Sequence, residues 1–153
     1  MNMDDRASQW LIQLRKEGYR LTGTRYIIVE ILASTNKALD ASDIYKIAHQ
    51  KYPTIGLVSV YRTLTILEDQ GLIQRIHQSE KCQAYLPAFT THEHLILCNE
   101  CGRVEYFKGD NVEELIDKVE SESEFQVQGH WLQFFGICKQ CQKSFPQATD
   151  VDY

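Results

Sequence analysis

Two Cys-x-x-Cys pairs constrain this chain more than any other feature of its sequence. "HLILCNECGRVEYF" contains Cys98 and Cys101, and "GHWLQFFGICKQCQ" contains Cys138 and Cys141, so the pairs use four of the 5 cysteines in 153 residues. A Cys-x-x-Cys turn lets two thiolates face one ion, and two such turns complete the tetrahedron that zinc prefers. The intervening segment is long enough for a helix and two strands. We therefore predict a structural zinc on these four thiolates.

The alternative for the four cysteines is a pair of buried or redox-active thiol sites, as in a metal-storing or redox enzyme. A redox Cys-x-x-Cys of the thioredoxin type normally occurs singly, at the start of a helix. No apolar run reaches the roughly 18 residues that span a bilayer, and the start "MNMDDRASQW" lacks the pattern of a signal peptide. We expect a cytoplasmic protein with no membrane partner, where metal binding is favoured over disulfide formation.

Charge divides the chain into two parts. Residues 1–86 contain 11 Lys+Arg and 9 Asp+Glu, a net charge of +2, whereas residues 87–153 contain 5 and 12, a net charge of −7. The mildly basic part can approach phosphates, and the acidic part suits cations or a partner subunit.

The first part has four apolar stripes at helical spacing followed by a change to period 2. Helices are predicted from Asp4 to about Lys16, after an N-cap at Thr22, after an N-cap at Asp40, and across "GLVSVYRTLTILEDQG" up to Gly71. The segments "LIQRIH" and "CQAYLP" then predict a β-hairpin. This order predicts a winged helix-turn-helix, with the fourth helix as reader and the hairpin as wing.

The second part predicts a small α/β unit. "AFTTHEH" has the composition of a hinge, and it is followed by the strands "LILC" and "RVEYF", an acidic helix from about Asn111 to Ser121, and the strand "HWLQFFGIC". An exposed sheet edge in such a unit favours a dimer. The predicted fold is therefore α+β, with a winged-helix DNA-binding domain (1–87), a hinge (88–93), a zinc-containing dimerisation domain (94–145) and a flexible tail (146–153).

Histidines and carboxylates near the hinge indicate further cation sites. In "THEH" the side chains of His92 and His94 lie on one side of an extended chain and Glu93 on the other. Glu113 follows on the acidic helix and His130 at the start of the last strand. Imidazole and carboxylate are common metal ligands. The alternative, for His77 above all and then for His130, is an ordinary polar side chain.

Over nearly its whole length the chain resembles the ferric uptake regulator (Fur) family of metal-dependent bacterial repressors. The motifs that carry the resemblance are "GYRLTGTR", "LDASDIY", "GLVSVYRTLTILEDQGLI", "HEHLILCNECGRVEYF" and "HWLQFFGICKQC". The resemblance implies a homodimer, not an enzyme, that binds a palindromic operator in double-stranded DNA. It also implies a structural zinc and a second metal at the hinge that acts as corepressor.

The resemblance also implies which residues bind DNA. Tyr61 and Arg62 match the Tyr-Arg pair of the family's reading helix, with Ser59 on the same helix, Arg20 matches a basic residue that reaches the minor groove, and Arg25 an arginine at the start of the second helix. Arginine can make bidentate contacts to guanine or enter a narrow, negative groove, and tyrosine can pack on thymine methyl groups.

The iron and peroxide sensors of the family are similar in drawing their hinge site from a His, an acidic residue and the two alternating His. Here Ala38 and Leu86 occupy the first two positions. The wing instead offers a thiol and an imidazole, a set that suits zinc. The predicted regulatory site therefore consists of His77, Cys82, His92 and His94. It makes the chain a repressor of the zinc-uptake type (Zur), the alternative being an iron or peroxide sensor and, for Cys82, an inert thiol.

A further metal site of the family is matched at three positions. These are Glu93, Glu113 and His130, whereas Thr91 stands where the family has a His. The resemblance thus implies a third metal site with an incomplete ligand set.

Overall fold

The computed structural model describes residues 3–76, 83–88, 94–108 and 112–144. Backbone contacts divide the chain into two compact units, Met1–Phe89 and Thr90–Tyr153. Each unit combines helices with a small antiparallel or mixed sheet. The predicted α+β fold class is confirmed. Among the described residues, no helix is both long and apolar enough to cross a bilayer.

The first unit begins with four helices, α1 (Met3–Lys16), α2 (Gly23–Ser34), α3 (Ala41–Lys51) and α4 (Leu57–Asp69). Their ends follow the predicted signals. The Thr22 hydroxyl accepts the backbone N–H of Arg25, and Asp40 Oδ1 accepts that of Asp43 at 2.7 Å. Both contacts satisfy donors that a helix start leaves free. Past the end of α4, Gly71 has a φ of +65°, the left-handed conformation that glycine adopts without steric cost.

The helices pack through their apolar stripes around one core. Fully buried members are Leu14, Ile28, Leu32, Ile44, Val60, Leu64 and Leu67. Within α2 and α4 they recur at intervals of three, four or seven residues, as expected for a helix that buries one face. This core supports α4 from one side only, so the opposite face of α4 is free for contacts with another molecule.

Two short strands complete the first unit as a wing. β1 (Ile73–Ile76) pairs antiparallel with β2 (Ala84–Pro87), and the predicted turn between them lies outside the described residues. In addition, Leu39 pairs with Tyr85: the Tyr85 N–H donates to the Leu39 carbonyl at 2.8 Å and the reverse bond measures 3.3 Å. The segment before α3 is therefore attached to the wing by one isolated bridge, at Leu39. A single bridge leaves no periodic pattern, and the sequence did not predict it.

The second unit is built on a three-stranded sheet. Its elements are β3 (His94–Cys98), β4 (Val104–Phe107), α5 (Val112–Glu122), β5 (Gln133–Gly136) and the short α6 (Lys139–Gln142). The strand order is β4-β3-β5, with β3 antiparallel to β4 and parallel to β5. The strand, strand, helix, strand order agrees with the prediction. α6 was not predicted, because four residues are too few to show a helical period.

Replacing Leu64 by Ala should destabilise the first unit by about 2–5 kcal/mol, because Leu64 is 1% exposed and truncation leaves a cavity. Leu57→Ala is the matched control, since Leu57 lies on the same helix but is 43% exposed. Chemical denaturation followed by circular dichroism measures both. Equal destabilisation by the two variants would contradict the packing described for α4.

Candidate metal centre and nucleic-acid interface

The four cysteines of the two Cys-x-x-Cys pairs meet at one point. The Sγ atoms of Cys98, Cys101, Cys138 and Cys141 all lie within 4.8 Å of one another, and those of Cys101 and Cys138 are 3.8 Å apart. Four sulfurs at about 2.3 Å from a central zinc are separated by about 3.8 Å in a tetrahedron. The cluster therefore has the dimensions and the donor set of a closed tetrahedral metal site.

Backbone pairing of the sheet brings the two halves of this site together. Parallel pairing of β3 with β5 sets Cys98 opposite Gly136, so Cys138 follows two residues later on the same side. The Cys138 N–H then donates to Cys98 Sγ at 3.3 Å. Gly102, with a φ of +72°, turns the chain after the first pair and donates its N–H to the Cys98 carbonyl at 3.0 Å. The thiols are thus placed by the sheet and two tight turns.

Hydrogen bonds shift the pKa values of the clustered thiols in opposite directions. Burial raises the pKa of the Cys98 thiol, but the backbone N–H groups of Cys138, Cys101 and Glu100 outweigh it and lower the pKa to about 6. The backbone N–H of Cys141 lowers the pKa of Cys138. The hydrogen bond to Cys138 raises the pKa of Cys141 to about 12. N–H groups directed at sulfur favour thiolates, the form that binds metal.

Only part of the predicted regulatory and third sites can be located. His77, Cys82, His92 and Glu93 lie outside the described residues. His94 lies on β3, is 4% exposed, and has its ring 5.2 Å from that of His130, measured between centroids.

This proximity joins one residue of the predicted regulatory site with one of the predicted third site. The family resemblance had assigned His94 and His130 to different sites, whereas the structure places their rings next to each other. Glu113 is exposed in the first turn of α5. Within the ranges that the structure describes, the four cysteines are the one group of His, Cys, Asp or Glu side chains that meets metal-ligand distances.

Apolar side chains occupy the two positions at which the resemblance implies a His and an acidic ligand of the hinge metal. Ala38 is 7% exposed and Leu86 is 1% exposed, and neither carries a metal donor. In the first unit these positions contribute to packing.

The free face of α4 presents the predicted reading residues. Tyr61 is 51% exposed and Arg62 is exposed beside it, whereas Val60 and Leu64 point into the core. Ser59 is half-buried, and its carbonyl accepts the Thr63 hydroxyl at 2.9 Å. Tyrosine and arginine therefore project together from a helix whose opposite side is fixed.

Arg20 and Arg25 differ in their surroundings. Arg20 is exposed, whereas Arg25 is half-buried and its guanidinium donates to the Arg20 carbonyl. The Arg25 Cζ also lies 5.7 Å from the centroid of the Tyr19 ring. Arg25 therefore helps to shape the loop before α2, from which the Arg20 side chain extends into solvent.

Comparison with known proteins agrees with these features. The sequence model of the Ferric uptake regulator family matches residues 16–135, most of the chain. The chain belongs to the ferric uptake regulator family. It is 33% identical over 144 residues to the Ferric uptake regulation protein of Bacillus subtilis, covering 91% of this chain and 96% of that protein. It is also 27% identical over 143 residues to the Peroxide-responsive repressor PerR of Staphylococcus epidermidis, covering 93% and 94%.

Solved structures of the family share the fold. The Helicobacter pylori ferric uptake regulator, described as having three functional metal binding sites, has a TM-score of 0.69 at 24% identity and covers 93% of this chain and 95% of its own. A zinc uptake regulator complexed with zinc and DNA has a TM-score of 0.69 at 19% identity and covers 94% and 97%. At these identities the likeness establishes the fold.

Membership of the Fur family identifies the chain as a metal-responsive transcriptional regulator. The prediction that it is not an enzyme is confirmed, because the family consists of regulators. The redox-enzyme alternative for the cysteine pairs is thereby excluded. Relatives that respond to iron and to peroxide both match, so membership alone does not identify the metal.

Cys138→Ser should abolish tight metal binding at this site, because it removes one of four thiolate ligands. Lys139→Ser is the matched control, since Lys139 is exposed in the same turn and supplies no thiolate. Elemental analysis of purified protein gives the metal per chain. Retention of the metal by the Cys138 variant at the wild-type level would contradict a four-thiolate site.

Proposed function

We propose that this protein is a cytoplasmic, zinc-responsive repressor of the zinc-uptake type, which binds a palindromic operator as a homodimer. The observation that carries the proposal is the exposed Tyr61-Arg62 pair on the reading helix of a Fur-family winged helix. A structural zinc is proposed on Cys98, Cys101, Cys138 and Cys141, because the donor set consists of four thiolates, which favour soft and borderline ions.

The first unit carries the proposed DNA contacts. Tyr61 and Arg62 enter the major groove from α4, and Ser59 accompanies them on the same helix. Arg20 extends from the loop before α2 toward the minor groove, where a narrow A·T-rich tract attracts a guanidinium. Arg25 supports that loop through the Arg20 carbonyl. The +2 charge of residues 1–86 favours approach to phosphates.

The second unit carries the proposed dimer contact. Many of its large apolar side chains are exposed, namely Ile96, Tyr106, Leu115, Val119, Phe125, Trp131, Phe134, Phe135 and Ile137. None of the side chains of α5 is buried by its own unit. An apolar surface of this extent supports burial against another copy of the chain.

Zinc is proposed as the sensed metal because of what the ligand positions contain. Buried Ala38 and Leu86 supply no oxygen or nitrogen where iron sensors of the family have a His and an acidic residue. The proposed regulatory ligands are His77, Cys82, His92 and His94. Of these four, the structure describes His94. Thiolate and imidazole favour zinc over iron or manganese.

A second candidate is an iron- or peroxide-sensing regulator. It is favoured by the identity of 32–33% to ferric uptake regulation proteins, against 19% to the zinc uptake regulator of known structure. Under either candidate, Glu93, Glu113 and His130 form the proposed third site.

Repression follows from linkage between two binding events. If metal binding favours the arrangement of reading helices that fits the operator, then operator binding strengthens metal binding by the same factor. Excess zinc would then shut off the genes for its uptake.

Cys82→Ser should abolish binding of a second, exchangeable zinc and leave the tight one in place, because only the proposed regulatory site uses this thiol. Elemental analysis before and after mild chelation measures both zinc populations. The control is Cys138→Ser, which should lose the tight zinc. If the wild type takes up no second zinc but binds Fe²⁺ or Mn²⁺, the iron-type candidate replaces the zinc proposal.

Tyr61→Ala should weaken operator binding by roughly tenfold, the scale of one lost base contact, without changing the zinc content. Fluorescence anisotropy with a duplex selected on the zinc-loaded protein measures the affinity. Tyr26→Ala is the matched control, because Tyr26 is 47% exposed but lies on α2. Unchanged affinity of the Tyr61 variant would remove α4 from the proposed interface.

A further inference from the structure

Arg75 is the centre of a polar network that joins the reading helix to the wing. Its guanidinium is ion-paired and hydrogen-bonded to the Glu68 carboxylate on α4. It also donates from Nη1 to Gln83 Oε1 at 3.2 Å, and its Cζ lies 5.9 Å from the centroid of the Tyr85 ring. One side chain on β1 thus contacts α4, the residue that precedes β2, and β2 itself.

The α4 end of this network lies on the face that carries the proposed DNA contacts. Glu68 follows Tyr61 by seven residues, about two helical turns, so both side chains project on the same side. A carboxylate on that side would repel phosphates. Its pairing with Arg75 neutralises the charge and directs the carboxylate toward the wing.

The network is a weak contributor to folding and a strong constraint on geometry. The side chains of Arg75 and Glu68 are 43% and 30% exposed, and exposed ion pairs stabilise proteins little. α4 is already held by Leu64 and Leu67 in the core. Arginine, however, presents a rigid fork of donors that can bind two acceptors at once, which fixes their relative positions.

We propose that Arg75 is a positioning residue that sets the wing against α4 in the arrangement that reads DNA. It acts through Glu68 and Gln83, not through a contact of its own with a phosphate. The proposal rests on the proposed DNA-binding function.

A set of charge-matched variants tests this role. Glu68→Gln, Arg75→Gln and the double variant are compared with the wild type on a duplex selected from a random-sequence library by the zinc-loaded wild-type protein. The double variant has the net charge of the wild type. We expect it to bind about three- to thirtyfold more weakly, the usual range for loss of a coupling contact. The slope of log affinity against log salt should stay at the wild-type value, because no phosphate contact is lost.

The sign of the effect of Glu68→Gln separates positioning from charge. This variant removes a negative charge near the DNA, so electrostatics alone predict tighter binding, whereas loss of positioning predicts weaker binding. The matched control is Lys118→Gln with Glu122→Gln, an exposed ion pair of 3.9 Å on α5, which should leave the affinity unchanged. The thermal unfolding midpoint and zinc content of all variants should equal those of the wild type.

Wild-type affinity of the double variant would overturn the positioning role. So would tighter binding by Glu68→Gln together with a salt slope reduced by about one in Arg75→Gln, the result expected for a direct phosphate contact. If the zinc-loaded wild type enriches no duplex from the library, the proposed DNA-binding function itself fails, which is a distinct result.

Discussion

The second unit depends on the four thiols that close its sheet. The strands bury only a few side chains, chiefly Leu95, Leu97 and Val104, and α5 contributes none. A core this small is a marginal source of stability. A metal ion held by the four cysteines would cross-link the end of β3 to α6, and metal binding of this kind contributes folding free energy. The apolar surface of the unit can therefore remain available to a partner.

The first unit is stabilised by apolar packing between its helices. Its helices share a continuous apolar core, and the core packs against one face of the reading helix α4. Thr22 and Asp40 cap the N-termini of α2 and α3. Nothing in the described part of this unit relies on a metal for its packing. The proposed DNA contacts and the four-cysteine cluster therefore belong to different units, whose parts of the sequence also differ in net charge.

Periodic patterns predicted most of the fold, because burial of one face imposes a period on helices and strands. Helix caps at Thr22 and Asp40 and the meeting of four cysteines were likewise readable from residue type and spacing. The Leu39–Tyr85 bridge, the approach of His94 to His130 and the Arg75 network were not. Each depends on how separate elements meet in space, which no local pattern records. The regulatory ligands, His94 included, remain predictions.

The Leu39–Tyr85 bridge also bears on how the protein avoids unwanted association. The bridge pairs the outer edge of β2 at Tyr85, and Arg75 places a charged side chain on β1. Both features disfavour pairing of the wing with a strand of another molecule. Among the described strands of the second unit, β4 and β5 each have one unpaired side. A bridge at Leu39 and a charge at Arg75 thus protect the wing from strand addition, while the second unit keeps two strand edges that can pair.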